Sequence, residues 1–142
     1  MSLLFYPAQG EEKPVLDFTD GKGGNVNIRF GDYRLIAMNN NTPQILYRNE
    51  NSYNGMEAYT RTANFALTGG EVMVEPDSLF VALYPDLSLS PASGDYNITL
   101  TPKNMVSTVP FVFTGITGLE YVSNIRIAVT GLSSSIRLSD GK

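Results

Sequence analysis

Residues 25–38 read Asn25-Val26-Asn27-Ile28-Arg29-Phe30-Gly31-Asp32-Tyr33-Arg34-Leu35-Ile36-Ala37-Met38. Val26, Ile28 and Phe30 fall on one side of an extended chain and Asn25, Asn27 and Arg29 on the other, which is the two-residue period of a half-buried strand. A β-rich run resumes at Tyr33 after Gly31-Asp32, so the stretch predicts a hairpin with a two-residue connection. The order Gly-Asp suits a type I′ turn less well than Asp-Gly and leaves the turn type open. Outward from this stretch the same grammar repeats, with apolar runs of about four to eight residues between marks of Gly, Pro, Asn and Asp.

Upstream, residues 3–6 are an extended apolar piece, 7–10 a turn, 14–18 a second extended piece, and 20–24 a Gly-rich loop able to host positive φ. Downstream, Pro43 and the Asn39-Asn40-Asn41 run break the chain before a strand from Gln44, and residues 56–62 and 71–75 alternate again. Residues 79–84 fit either a strand or one helical turn. Residues 85–95 hold the densest run of Pro, Ser, Asp and Gly, the natural place for a boundary or long crossover. Further strands are expected at 96–101, 107–114, 124–130 and 134–138, and a turn or two of helix near 118–123. The fold class is therefore all-β, an antiparallel β-sandwich. Residues 1–90 would form an N-terminal sandwich domain and 91–142 the start of a second unit, the alternative being one sandwich over 1–142.

The chain of 142 residues has no cysteine, histidine or tryptophan and a net charge of −4. Zinc fingers, iron–sulfur clusters, thiol nucleophiles, disulfides and imidazole bases made by this chain alone are excluded. Charged residues make up 17% against a usual ~25%, so the surface is polar but largely uncharged. The acidic balance, without a basic patch, argues against nucleic acid as a partner. No apolar run approaches a membrane span, and no signal peptide is visible.

Little else in the sequence points to chemistry. Asp17-Phe18-Thr19-Asp20-Gly21-Lys22-Gly23-Gly24-Asn25 places oxygen ligands around a bend, but the calcium-loop pattern fails and a solvated turn is the better reading, so no metal is assigned. Gly21, Gly23 and Gly24 lack the helix and Gly-Lys-Ser/Thr ending of a phosphate cradle. Glu11, Glu12 and Asp86 offer acids for a glycosidase pair without any known separation. No catalytic residue and no cofactor is assigned. Arg126 is expected to pair with Glu71 or Glu120 across the sheet. Among the tyrosines, Tyr47 and Tyr59 are the candidate ligand face, since aromatic rings can stack on sugars. The positive signal is strand pairing. The uncharged apolar run 3–6 reads as a sheet edge awaiting another strand, with Leu3, Phe5, Val26, Ile28 and Phe30 as its packing face.

Met1-Ser2-Leu3-Leu4-Phe5-Tyr6-Pro7, Gly31-Asp32-Tyr33-Arg34-Leu35-Ile36-Ala37-Met38-Asn39-Asn40-Asn41-Thr42, Ile45-Leu46-Tyr47-Arg48 and Ala58-Tyr59-Thr60-Arg61 together resemble the N-terminal domain of fimbrillin-like lipoproteins of Bacteroidales. The blocks Gly115-Ile116-Thr117-Gly118-Leu119-Glu120-Tyr121-Val122 and Ile125-Arg126-Ile127-Ala128-Val129-Thr130-Gly131-Leu132-Ser133-Ser134-Ser135 are similar to the entry into the second domain of the fimbrial anchor-subunit family. That family tends to read Leu-Ser-Gly-Met-Ala where this chain has Val129-Thr130-Gly131-Leu132-Ser133.

The resemblance implies a transthyretin-like, immunoglobulin-like sandwich lacking its first strand, and a lipoprotein signal absent from this chain. It also implies a non-enzymatic fimbrial or cell-adhesion (pilus) subunit at the cell surface, held at the outer membrane through a lipid anchor. Partners would be other fimbrial subunits or copies of the chain, joined by β-strand addition, with host protein or glycan as the adhesion target. Asp77-Ser78-Leu79 matches a pattern that such bacteria glycosylate, though three residues match by chance often and a plain turn is the better reading. The rival expectation is a glycan- or peptide-binding module using the tyrosines and the loop 39–42. A carboxylate hydrolase comes third.

Overall fold

A computed structural model describes residues 1–9, 14–65, 70–91, 94–123, 125, 127 and 129–142. Ten strands lie among these residues: β1 (Ser2–Pro7), β2 (Val15–Phe18), β3 (Gly31–Met38), β4 (Ile45–Arg48), β5 (Glu57–Thr60), β6 (Thr62–Phe65), β7 (Gly70–Met73), β8 (Phe80–Leu89), β9 (Lys103–Asn104) and β10 (Ser135–Arg137). One 3-10 turn, Leu119–Tyr121, falls where a short helix was expected. Every pairing is antiparallel, in a five-stranded sheet β2-β1-β3-β8-β9, a three-stranded sheet β10-β5-β4 and the hairpin β6-β7.

The two larger sheets form a sandwich. Between them Leu4, Tyr6, Ile36, Met38 and Val81 of the large sheet meet Ile45 and Ala58 of the small one, with Tyr53, Met56, Leu79 and Leu138 filling the gap. The large sheet is also buried on its other face. There Leu3, Phe5, Tyr33, Leu35, Ala37, Ala82, Leu87 and Leu89 form a second cluster, covered by Met1, Val26, Ile28, Ile98 and Leu100.

Burial on both faces corrects the edge reading of residues 3–6. β1 is buried from Ser2 to Tyr6 and pairs with β2 on one side and β3 on the other. An unbroken apolar run is the mark of a strand packed on two faces, and such a strand sits inside a sheet.

The hairpin expected at 25–38 is not formed. Gly31 and Asp32 already belong to β3, opposite Leu89 and Ser88. With both sides of β3 taken by β1 and β8, residues 25–30 find no free edge there. They lay Val26 and Ile28 on the second face instead, so the period of two is real but no ladder accompanies it. Residues 96–101 behave alike, with Ile98 and Leu100 directed onto that face. The strands expected at 107–114 and 124–130 are likewise absent among the described residues.

β8 resolves the ambiguity at 79–84 as a strand and runs through Pro85. The register explains how. Tyr33 faces Leu87 and Leu35 faces Tyr84, so one residue of β3 opposes two of β8 at Pro85-Asp86. A bulge frees a proline from supplying a ladder hydrogen bond, and it realigns the alternation so that Ala82 and Leu87 both reach the second cluster.

Candidate functional site

The outer face of the small sheet follows from its register. Residues paired across neighbouring strands share a face. Leu46, Tyr59 and Ser135 therefore form one row, and Arg48, Glu57 and Arg137 the next. The opposite face carries Ile45, Tyr47, Ala58 and Ile136, all packed in or against the sandwich core. The two candidate ligand tyrosines consequently lie on opposite faces of one sheet. Tyr59 looks outward and Tyr47 inward.

Tyr59 lines an open cleft of about 640 Å³ where β5 hands over to β6. Leu46 and Met73 give it apolar walls, and Thr62, Ser134 and Ser135 line it with hydroxyl-bearing residues. Its charged lining consists of Arg48 and Arg61. Arg48 is engaged, paired with Glu57 and stacked over the Tyr59 ring with its guanidinium carbon 5.4 Å from the centroid. Arg61 is exposed. Its backbone is pinned on both sides, its N–H donating to the Gln44 carbonyl at 3.0 Å and its carbonyl accepting from Val74 N–H at 3.0 Å. The ion pairs among the described residues are Arg48–Glu57 and Arg137–Asp140, so Arg61 presents an uncompensated charge from a fixed backbone.

Tyr47 lines a second cleft of about 390 Å³ together with Asn39, Asn40 and Thr42. The structure thus joins Tyr47 to the Asn-rich loop and separates both from Tyr59. The Tyr47 hydroxyl lies 3.2 Å from Thr42 Oγ1. Burial pushes its pKa up, the Thr42 hydrogen bond acts in the opposite sense, and the charges of Glu50 and Asp77 add a smaller upward push.

The packing-face residues divide. Leu3 and Phe5 are buried beside half-buried Val26 and Ile28 in the second cluster, whereas Phe30 is 61% exposed and stands apart. The loop 19–24 closes on itself, Lys22 N–H donating to Asp20 Oδ1 at 2.8 Å and Thr19 Oγ1 to the Gly23 carbonyl at 2.8 Å. Gly21 and Gly23 adopt positive φ there. In the Asp77-Ser78-Leu79 turn, Asp77 Oδ2 accepts from Gln44 N–H at 2.7 Å and Leu79 is buried in the core. Glu11, Glu12 and Arg126 lie outside the described residues, so the acid-pair and Arg126 expectations have no geometry. Arg61 was not singled out from sequence, although the alternation of 56–62 sets it two residues from Tyr59, on the same side of an extended chain. No helix among the described residues is long and apolar enough to cross a membrane.

A family model described as a domain of unknown function, DUF5119, matches residues 1–142. A Bacteroides ovatus protein named as a candidate fimbrium anchoring subunit, Fim4B, is 30% identical over 142 residues, covering 99% of this chain and 42% of its own length. A crystal structure described as a candidate adhesin from Bacteroides ovatus superposes with a TM-score of 0.65 at 27% identity, covering 73% of this chain and 37% of that one. The chain therefore spans less than half the length of each of these two relatives.

Proposed function

The chain belongs to the DUF5119 family, and from that premise we propose that it is a non-enzymatic fimbrial or adhesion subunit of a bacterial surface that assembles by β-strand addition. The names borne by its relatives support the surface role. One structural observation supports the mode of assembly. β8 pairs with β3 along its length, but on its other side β9 reaches only Phe80 and Val81. Among the described residues no strand covers the rest of that edge, where Leu83 is 37% and Tyr84 39% exposed. Such an edge offers backbone hydrogen bonds to an incoming strand, with side-chain pockets setting register. On this proposal the acceptor edge is β8 rather than residues 3–6. On this reading 1–142 acts as one sandwich, because β9 and β10 pair with strands of the first ninety residues. Lipid anchoring at the outer membrane belongs to the same proposal.

Size-exclusion chromatography with light scattering over a concentration series tests it. Oligomers are expected, and Leu83→Lys, which puts a charge on the edge, should shift them toward monomer. A strict monomer at every concentration would count against strand addition.

A second reading, saccharide recognition, is favoured by the cleft in which Tyr59 meets hydroxyl-bearing residues and apolar walls. Titration with oligosaccharides, and its loss on Tyr59→Ala, measures that activity directly.

A further inference from the structure

We propose that the cleft between β5 and β6 binds a carboxylated saccharide, with Arg61 receiving the carboxylate. The inference rests on the saccharide reading of that cleft and adds the chemical class of the ligand.

Charge complementarity carries it. The protein as a whole has a net charge of −4, yet the charged residues lining this cleft are both arginines. Arg48 is committed to Glu57 and to the Tyr59 ring. Arg61 has no carboxylate within ion-pair distance among the described residues. A guanidinium offers two parallel N–H donors to a carboxylate, a geometry that a single ammonium does not provide. Because its backbone is hydrogen-bonded to Gln44 just before β4 and to Val74 just beyond β7, less chain entropy is lost when an anion binds.

The remaining lining selects the rest of the ligand. A bare inorganic anion has no use for Leu46, Met73 and the Tyr59 ring, which suit the C–H face of a pyranose. Thr62, Ser134 and Ser135 complement sugar hydroxyls. The volume of about 640 Å³ lies within the range of small-ligand sites. An acidic peptide would satisfy the charge and could bond the hydroxyls through its backbone, but it offers no flat C–H face to the Tyr59 ring.

The test is calorimetric titration of the full chain with trigalacturonate and with sialyllactose, the two arms separating uronic from sialic acids. The methyl esters of both, and hexaglutamate, serve as comparators. Binding by one acid is expected, with its ester and the Arg61→Gln variant each weaker by about tenfold, the equivalent of one charge-assisted contact. Tyr59→Ala should weaken the acid and the ester alike. Backbone amide shifts of the unmodified protein should move at 59–62 and 134–135, a readout independent of any variant's folding.

If the esters bind as well as the acids, the carboxylate assignment falls while saccharide recognition stands. Hexaglutamate binding as tightly as the better sugar acid overturns the saccharide. If no sugar binds, or the shifts move elsewhere, both the inference and the reading beneath it fail.

Discussion

Tyr6 shows how much one side chain ties together. It stands in the middle of the sandwich core, its hydroxyl donates to the Glu50 carbonyl at 2.9 Å, and its ring meets Tyr53 edge-on at 5.7 Å between centroids. Burial, reinforced by the nearby Glu50 charge, pushes its pKa far up. Tyr47 and Tyr53 are raised too, chiefly by burial. A tyrosine whose folded pKa lies above its unfolded value of about 10 gives stability that is whole below that pH. That stability is lost as pH rises through the folded value. The thermal midpoint should therefore fall steeply above about pH 10, and Tyr6→Phe should make that fall shallower. At neutral pH the same substitution should cost about 0.5–1.5 kcal/mol for the lost hydrogen bond. An unchanged alkaline slope would show that Tyr6 is not the group responsible. None of this was legible from the sequence, where Tyr6 is one of eight tyrosines and nothing local distinguishes a buried hydroxyl from one at the rim.

At the scale of the element, period and pairing turn out to be separate kinds of information. Alternation in 25–30 put Val26 and Ile28 toward the protein, where they lie, but also Phe30, which is 61% exposed, and residues 96–101 likewise turn Ile98 and Leu100 inward. It could not tell that those segments would cover a sheet rather than extend it, because pairing depends on which edges remain free after β1, β3 and β8 have met. Residues 3–6 carried the opposite lesson: their lack of alternation already signified two-sided burial. Pro85 looked like punctuation only because a bulge is invisible without its partner strand. β10 is the sharpest case for experiment. Three residues long, it pairs with β5 and delivers Leu138 into the core at 0% exposure, its N–H bonded to the Met56 carbonyl at 2.9 Å. Leu138→Ala should cost about 2–5 kcal/mol by denaturant unfolding. Leu132→Ala, at a position 71% exposed, should stay within about 0.5 kcal/mol. Equal small effects would mean that β10 does not seal the sandwich.

Across the whole molecule, apolar surface is unevenly distributed. Val109, Phe111 and Phe113 are 53–61% exposed and Val112 is 82% exposed. Ile125, Ile127 and Val129 stand near half exposure. Exposed apolar residues gathered in one stretch of chain are a usual mark of interaction or aggregation surface. If the chain assembles through strands, this stretch is the natural donor to the β8 edge of a neighbour. Val112→Lys should then leave the thermal midpoint almost unchanged while lowering self-association in the light-scattering series. A variant that associates as before would remove this stretch from the interface. The all-β class was readable because composition and punctuation are global properties. The Tyr59 cleft was not, because it joins residues from β4, β5, β6, β7 and the approach to β10, whose adjacency exists only after folding.

The position of Leu138 has one further consequence. The core that holds Ile36 and Met56 is completed by a side chain from a distant part of the sequence, so no early portion of the polypeptide can close it alone. Topologies dominated by such remote contacts fold slowly, on the order of milliseconds to seconds. A polypeptide lacking Leu138 leaves one wall of that core open to water.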